Sequence, residues 1–248
     1  MRTLMAALLV ATAGMAMAEI KTKVVEYRDG DTVLQGYYAY DDAKAGKRPG
    51  IIIVHDWNGL DGYEERRARE LAALGYAALA VDIYGKGVRP KTNEESGAQA
   101  GKYRSDIDLF RSRLNAGLKK LEAQPQVNKA RLGAIGYCFG GGGVLELLRS
   151  GAPVKAAVTF HGALGTPRPQ DAKNIKGKLL VEHAAGDPTA TPEIVSGFKK
   201  EMADAKVDYK MDVYDINTHA FTVPGPMYNA DGDRKSWAAM KKFFAANL

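Results

Sequence analysis

Hydrophobic and polar positions change their rhythm several times along this chain. Over Lys23–Tyr27 and Thr32–Tyr40 they read as strands, and the intervening Asp29-Gly30-Asp31 predicts a tight turn, so the pair forms an antiparallel hairpin. Ile51-Ile52-Ile53-Val54 has no polar interruption, as expected of a short strand covered on both faces. From Tyr63 to Leu74 the period lengthens: Ala68, Leu71, Ala72 and Leu74 fall towards one side of a helix that Gly75 stops. Ala77–Val81 is again an apolar strand. A polar, glycine-bearing stretch from Tyr84 to about Gly97 then leads into a long helical segment ending near Ala123.

The alternation continues to the C-terminus. Strands are predicted over Arg131–Tyr137, Lys155–Phe160, Lys178–Glu182 and Asp208–Tyr214. Helices are predicted over Val144–Leu148, over Pro192–Ala205 with Thr191 as N-cap, and over Ser236–Asn247. Short apolar strands separated by helices predict an α/β fold: a mainly parallel sheet with helices on both faces, extended by the antiparallel hairpin. Chemistry in such sheets gathers at the carboxyl ends of the strands.

The chain has 248 residues, 46% of them hydrophobic, enough for one well-buried core. No long linker divides it, so residues 19–248 are expected to form a single domain. Residues 1–18 differ: Met1-Arg2 is a positive start, Leu4–Ala13 is an apolar run too short to span a bilayer, and Ala16-Met17-Ala18 ends in small residues. This pattern predicts a signal peptide cleaved after Ala18, and hence a periplasmic or secreted protein with no membrane insertion after cleavage. The net charge is +6, and loss of Arg2 with the leader lowers it to +5. Lysines and arginines are mixed with acids and not interleaved with aromatics, which argues against a nucleic-acid partner. A monomer is expected.

Cys138 is the only cysteine, so in an oxidising compartment it has no partner in its own chain. It lies in Gly136-Tyr137-Cys138-Phe139-Gly140, at a predicted strand-to-helix junction. That spacing is a nucleophile elbow with sulfur in place of the usual hydroxyl. Glycine is needed two positions either side because the turn is too sharp for side chains there. The helix N-terminus in turn favours a negatively charged nucleophile. A buried structural cysteine is the alternative, but packing alone does not require both glycines.

Ala184-Ala185-Gly186-Asp187-Pro188 and Asn217-Thr218-His219-Ala220-Phe221 follow later strands, giving nucleophile, acid and histidine in the α/β-hydrolase order. Asp187 is the candidate carboxylate that orients His219. Val54-His55-Asp56-Trp57-Asn58-Gly59 is the candidate oxyanion loop, with the N–H groups of Trp57 and Phe139 as donors. His55, His161 and Phe221 lie near strand ends and are candidate pocket residues, with plain packing as the alternative for the two histidines; His183 reads as structural. No His/Cys/Asp/Glu cluster has metal-ligand spacing and no glycine motif reads as a dinucleotide site, so neither metal nor other cofactor is expected.

Taken together, VHDWNGL, RARELAALGYAALAVDIYGKG, IGYCFGGG, AAGDPTATPE and THAFT resemble the dienelactone hydrolase family of α/β-hydrolases, over roughly Val24 to Phe244. The resemblance implies ester or lactone hydrolysis by a Cys138-His219-Asp187 triad without a metal. It also implies that an acid just ahead of the oxyanion loop activates the thiol; Asp56 stands there, where the best-known members carry glutamate. Those members hold a substrate carboxylate with two arginines. This chain has Thr222-Val223 at one position and no arginine in Gln99–Lys102 at the other, with Arg104 nearby. The expected activity is cleavage of small esters, lactones or thioesters through a thioacyl-enzyme, with a small anionic lactone disfavoured. Two alternatives remain: acyl transfer or peptide cleavage on an envelope substrate, and a non-catalytic exported binding scaffold.

Overall fold

A computed structural model describes residues 19–248; the expected signal peptide, residues 1–18, lies outside them. The strands are β1 (Ile20–Asp29), β2 (Thr32–Asp41), β3 (Arg48–Val54), β4 (Ala77–Val81), β5 (Val127–Tyr137), β6 (Ala156–Phe160), β7 (Lys178–Ala184) and β8 (Tyr209–Tyr214). They form one sheet in the order β1-β2-β4-β3-β5-β6-β7-β8. β1 and β2 pair antiparallel from Ile20↔Asp41 to Asp29↔Thr32, β2 is antiparallel to β4, and every later pairing is parallel. Among the described residues no helix is long and apolar enough to cross a membrane.

Alternate side chains of the central strands enter two separate cores. Ile52 and Val54 of β3 pack with Phe110, Leu114, Val144 and Phe198, whereas Ile51 and Ile53 pack with Leu71, Ala72, Met240 and Phe244. The first group comes from α3 (Ile107–Glu122), α4 (Phe139–Arg149) and α5 (Pro192–Asp204), joined on that face by α2 (Asn93–Ser105). The second comes from α1 (Gly62–Ala73) and α6 (Ala230–Asn247) on the opposite face. A strand covered on both faces has no polar phase, which is why β3 and β4 read as unbroken apolar runs.

Three helix boundaries differ from the hydrophobic pattern. The single long segment expected to end near Ala123 is two helices, α2 and α3, broken at Asp106. The Asp106 N–H closes α2 on the Lys102 carbonyl while its carboxylate caps α3 by accepting the Leu109 N–H at 2.9 Å. α2 buries only Ser96, Ala100 and Tyr103, so its polar sequence conceals it and its first residues read as loop. α4 starts at Phe139 rather than Val144, because the glycine run is itself helical. α6 starts at Ala230 rather than Ser236, and Asn229 caps it by accepting the Gly232 N–H at 2.9 Å. At the other end of its range β5 begins at Val127, four residues before the expected Arg131.

Candidate active site

The loops that follow β3, β5, β6, β7 and β8 meet at one end of the sheet. β5 stops at Tyr137 and α4 begins at Phe139, leaving Cys138 between them with φ 53° and ψ −112°. That left-handed backbone is uncommon outside glycine and marks a held, strained turn. A Cβ on Gly136 would lie 2.1 Å from the Gly140 carbonyl oxygen, and one on Gly140 would lie 2.2 Å from the Val54 carbonyl oxygen. The glycines therefore do more than permit the turn: they let the end of β3 rest on the first turn of α4. This sets the Trp57 loop beside the Phe139 amide, and neither the Trp57 nor the Phe139 N–H has an acceptor among the described residues.

Asp187 and His219 meet across the loops after β7 and β8. Asp187 Oδ2 lies 2.7 Å from His219 Nδ1, which donates its proton to it, and Oδ1 accepts the Thr189 N–H and O–H at 2.8 Å each. Thr189 Oγ1 also lies 3.0 Å from His219 Nδ1, so the carboxylate and the hydroxyl clamp the same ring edge. Burial opposes ionisation of Asp187, but the hydrogen bond and charge of His219 and the Thr189 donors outweigh it, holding the carboxyl below its ordinary range. Burial likewise opposes charge on His219. Hydrogen bonds and charge from Asp187 and Cys138 overcome this, and the pKa of the imidazole is pushed up to about 10. The imidazole is thus hydrogen-bonded to the carboxylate and shares the cleft with the Cys138 sulfur.

Thr189 escaped the sequence reading; its signal is the Asp-x-Thr spacing, in which a hydroxyl two residues on closes a turn onto the acid. Asp56 is buried at the cleft wall, yet its carboxylate folds back on its own loop. Oδ1 accepts the Asn58 N–H at 2.7 Å and Oδ2 the Asn58 Nδ2–H at 3.3 Å. The expected contact between Asp56 and the thiol is not made in this arrangement, because the shorter side chain is taken up by Asn58. Burial pushes the Asp56 carboxyl up to about 6.

The three candidate pocket residues His55, His161 and Phe221 are corrected by the structure: each is fully buried and none lines the cleft. His55 donates from Nδ1 to the Asp56 carbonyl at 2.6 Å and accepts the Ile83 N–H on Nε2 at 3.2 Å, so it staples β3 to the segment after β4. Phe221 packs edge-on against His161, with ring centroids 5.3 Å apart. The cleft itself, about 500 Å³, is walled by Trp57, Ala163, Pro188, Ala220 and Met227 around Cys138 and His219. Arg104, at the end of α2, also reaches this wall, with its guanidinium 5.7 Å from the centre of the Phe139 ring.

Comparison with known proteins gives a consistent picture. The model of the dienelactone hydrolase family matches residues 34–248. Among solved structures, the protein m3DLH superposes with a TM-score of 0.89 at 37% identity, covering 92% of this chain and 99% of its own. A dienelactone hydrolase-like promiscuous phosphotriesterase from metagenomic libraries gives a TM-score of 0.87 at 35% identity, covering 92% of this chain and 98% of its own. A carboxymethylenebutenolidase homolog from Xenopus tropicalis is 28% identical over 69% of each chain.

Proposed function

Since the chain belongs to the dienelactone hydrolase family and is a carboxylic ester hydrolase, we propose that it cleaves small esters, lactones and thioesters through a thioacyl-enzyme on Cys138. The observation that carries this reading is that Cys138 and His219 line one cleft while His219 is held from behind by its hydrogen bond to Asp187.

In the proposed cycle Cys138 reacts as a thiolate beside the His219 imidazolium, whose Nδ1–H stays on Asp187. Sulfur attacks the carbonyl carbon, a C–S bond forms, and the carbonyl electron pair moves to oxygen. The Trp57 and Phe139 N–H groups hold that oxyanion. Collapse breaks the bond to the leaving oxygen or sulfur, which takes the Nε2 proton of His219. Water then attacks the thioester and gives a proton to His219. Departure of the acid restores the thiolate–imidazolium pair. The cycle is redox-neutral and consumes one water.

The walls formed by Ala163, Pro188, Ala220 and Met227 support a substrate with an apolar body, while Arg104 offers one cation in place of a paired guanidinium clamp. The leader-like residues 1–18 support export, and the single sheet supports action as one domain. In the test, Cys138→Ala lowers p-nitrophenyl acetate turnover by about 10³-fold or more while the melting temperature stays within a few degrees. Undiminished turnover in a folded variant would overturn the reading.

A further inference from the structure

Three buried side chains beneath the cleft take no part in the cycle above: His161, Thr222 and Tyr63. They come from the end of β6, the segment just beyond His219, and the first turn of α1. The Cys138 backbone N–H is shared between the Phe160 carbonyl at 3.1 Å and His161 Nδ1 at 3.2 Å, His161 Nε2 lies 2.8 Å from Thr222 Oγ1, and that oxygen lies 2.9 Å from the Tyr63 hydroxyl. His161 has φ 40°, a left-handed conformation that a residue with a Cβ keeps only when its surroundings hold it.

These contacts settle where the ring proton sits. A ring nitrogen that accepts an N–H bears no proton, so the neutral imidazole carries its hydrogen on Nε2 and donates it to Thr222 Oγ1. A second proton would set a ring N–H against the Cys138 N–H, leaving that donor to the Phe160 carbonyl alone, and would place a cation edge-on to His219, whose ring centroid is 5.3 Å away. Burial and then the His219 charge hold the His161 pKa well below its ordinary value, with Asp187 pulling the other way and Arg67 adding to the depression.

We propose that His161, fixed as its Nε2–H tautomer by Thr222 and Tyr63, is a positioning residue that ties the Cys138 backbone to the segment carrying His219. Thr222 follows His219 by three residues, so its hydrogen bond anchors the histidine loop to the same ring that holds the elbow. Loosening the tie leaves sulfur, imidazole and cleft walls in place but degrades their registry. The chemical step slows and substrate binding does not. This inference rests on the reading of Cys138 and His219 as a reacting pair.

The test uses two substitutions at one position. Thr222→Val keeps the branched shape and removes the hydroxyl, leaving the Nε2–H without an acceptor; Thr222→Ser keeps the hydroxyl. With p-nitrophenyl acetate, T222V is expected to lower kcat about tenfold with KM within about twofold, and T222S to stay within about threefold of the parent. Parental kcat in T222V, or equal losses in both variants, would overturn the tie. Alkylation of Cys138 by iodoacetamide, followed in the same proteins, keeps the two readings separable. A parent that turns over no ester overturns the hydrolase reading alone. Slower alkylation in T222V than in T222S still supports the tie, and equal rates contradict it.

Discussion

Asp187 and Asp56 are both buried aspartates on loops at the carboxyl ends of strands in one sheet, yet their carboxylates do opposite things. Asp187 has one oxygen fixed by Thr189 and turns the other outward to His219. Asp56 has both oxygens engaged by Asn58, two residues further along its own loop. Their protonation follows: His219 and Thr189 overcome burial and hold Asp187 below the ordinary range, while burial prevails at Asp56 and pushes its carboxyl up to about 6. A carboxylate beside an active cleft acquires its role from the donor that reaches it, and its place in the chain does not decide that role.

Substitution of each acid by its amide separates the two roles. Asp187→Asn should have the larger effect, on the order of a 10³-fold loss in kcat, because an amide neither fixes the Nδ1–H tautomer nor stabilises the imidazolium. The same variant should move the alkaline limb of the rate profile to lower pH. His219 holds its proton up to about 10 in the parent, so the protonated form is lost only as pH rises through that value, and it will be lost earlier without the Asp187 charge. A loss under tenfold would break the contrast.

Asp56→Asn should cost less than tenfold, since an asparagine oxygen still accepts the Asn58 N–H. Its signature is in the pH profile. The parent carboxyl gains a proton as pH falls through about 6, so an acid limb due to its charge appears there and is absent in the variant. Rate–pH curves of parent and D56N check this, and a variant as crippled as D187N would give Asp56 a direct part in the chemistry.

Much of this was legible in the chain because burial on both faces removes polar phases from β3 and β4, and because a sharp strand-to-helix turn demands Gly136 and Gly140. The order of Cys138, Asp187 and His219 was visible for the same reason: each follows a strand that the pattern reveals. What escaped depends on contacts between distant segments. Tyr63 and Thr222 are 159 residues apart in sequence, and nothing local in either stretch announces their hydrogen bond. His55 and His161 were placed correctly at strand ends, but whether a ring faces cleft or core is decided by packing, and at His161 by a left-handed backbone that turns the ring inward. α2 was hidden because its surface is polar, and with it went the placing of Arg104 in the cleft wall.

The central claim, that Cys138 carries the acyl group during turnover, is tested most directly by acid-quenching the enzyme in the first turnovers of p-nitrophenyl acetate and locating the adduct by peptide mass spectrometry. The account predicts one acetyl group on Cys138 in the parent, accumulating further in Asp187→Asn if water activation by His219 becomes the slow step. Steady release of nitrophenol with Cys138 unmodified, or an acetyl group on another residue that turns over at the catalytic rate, would contradict it.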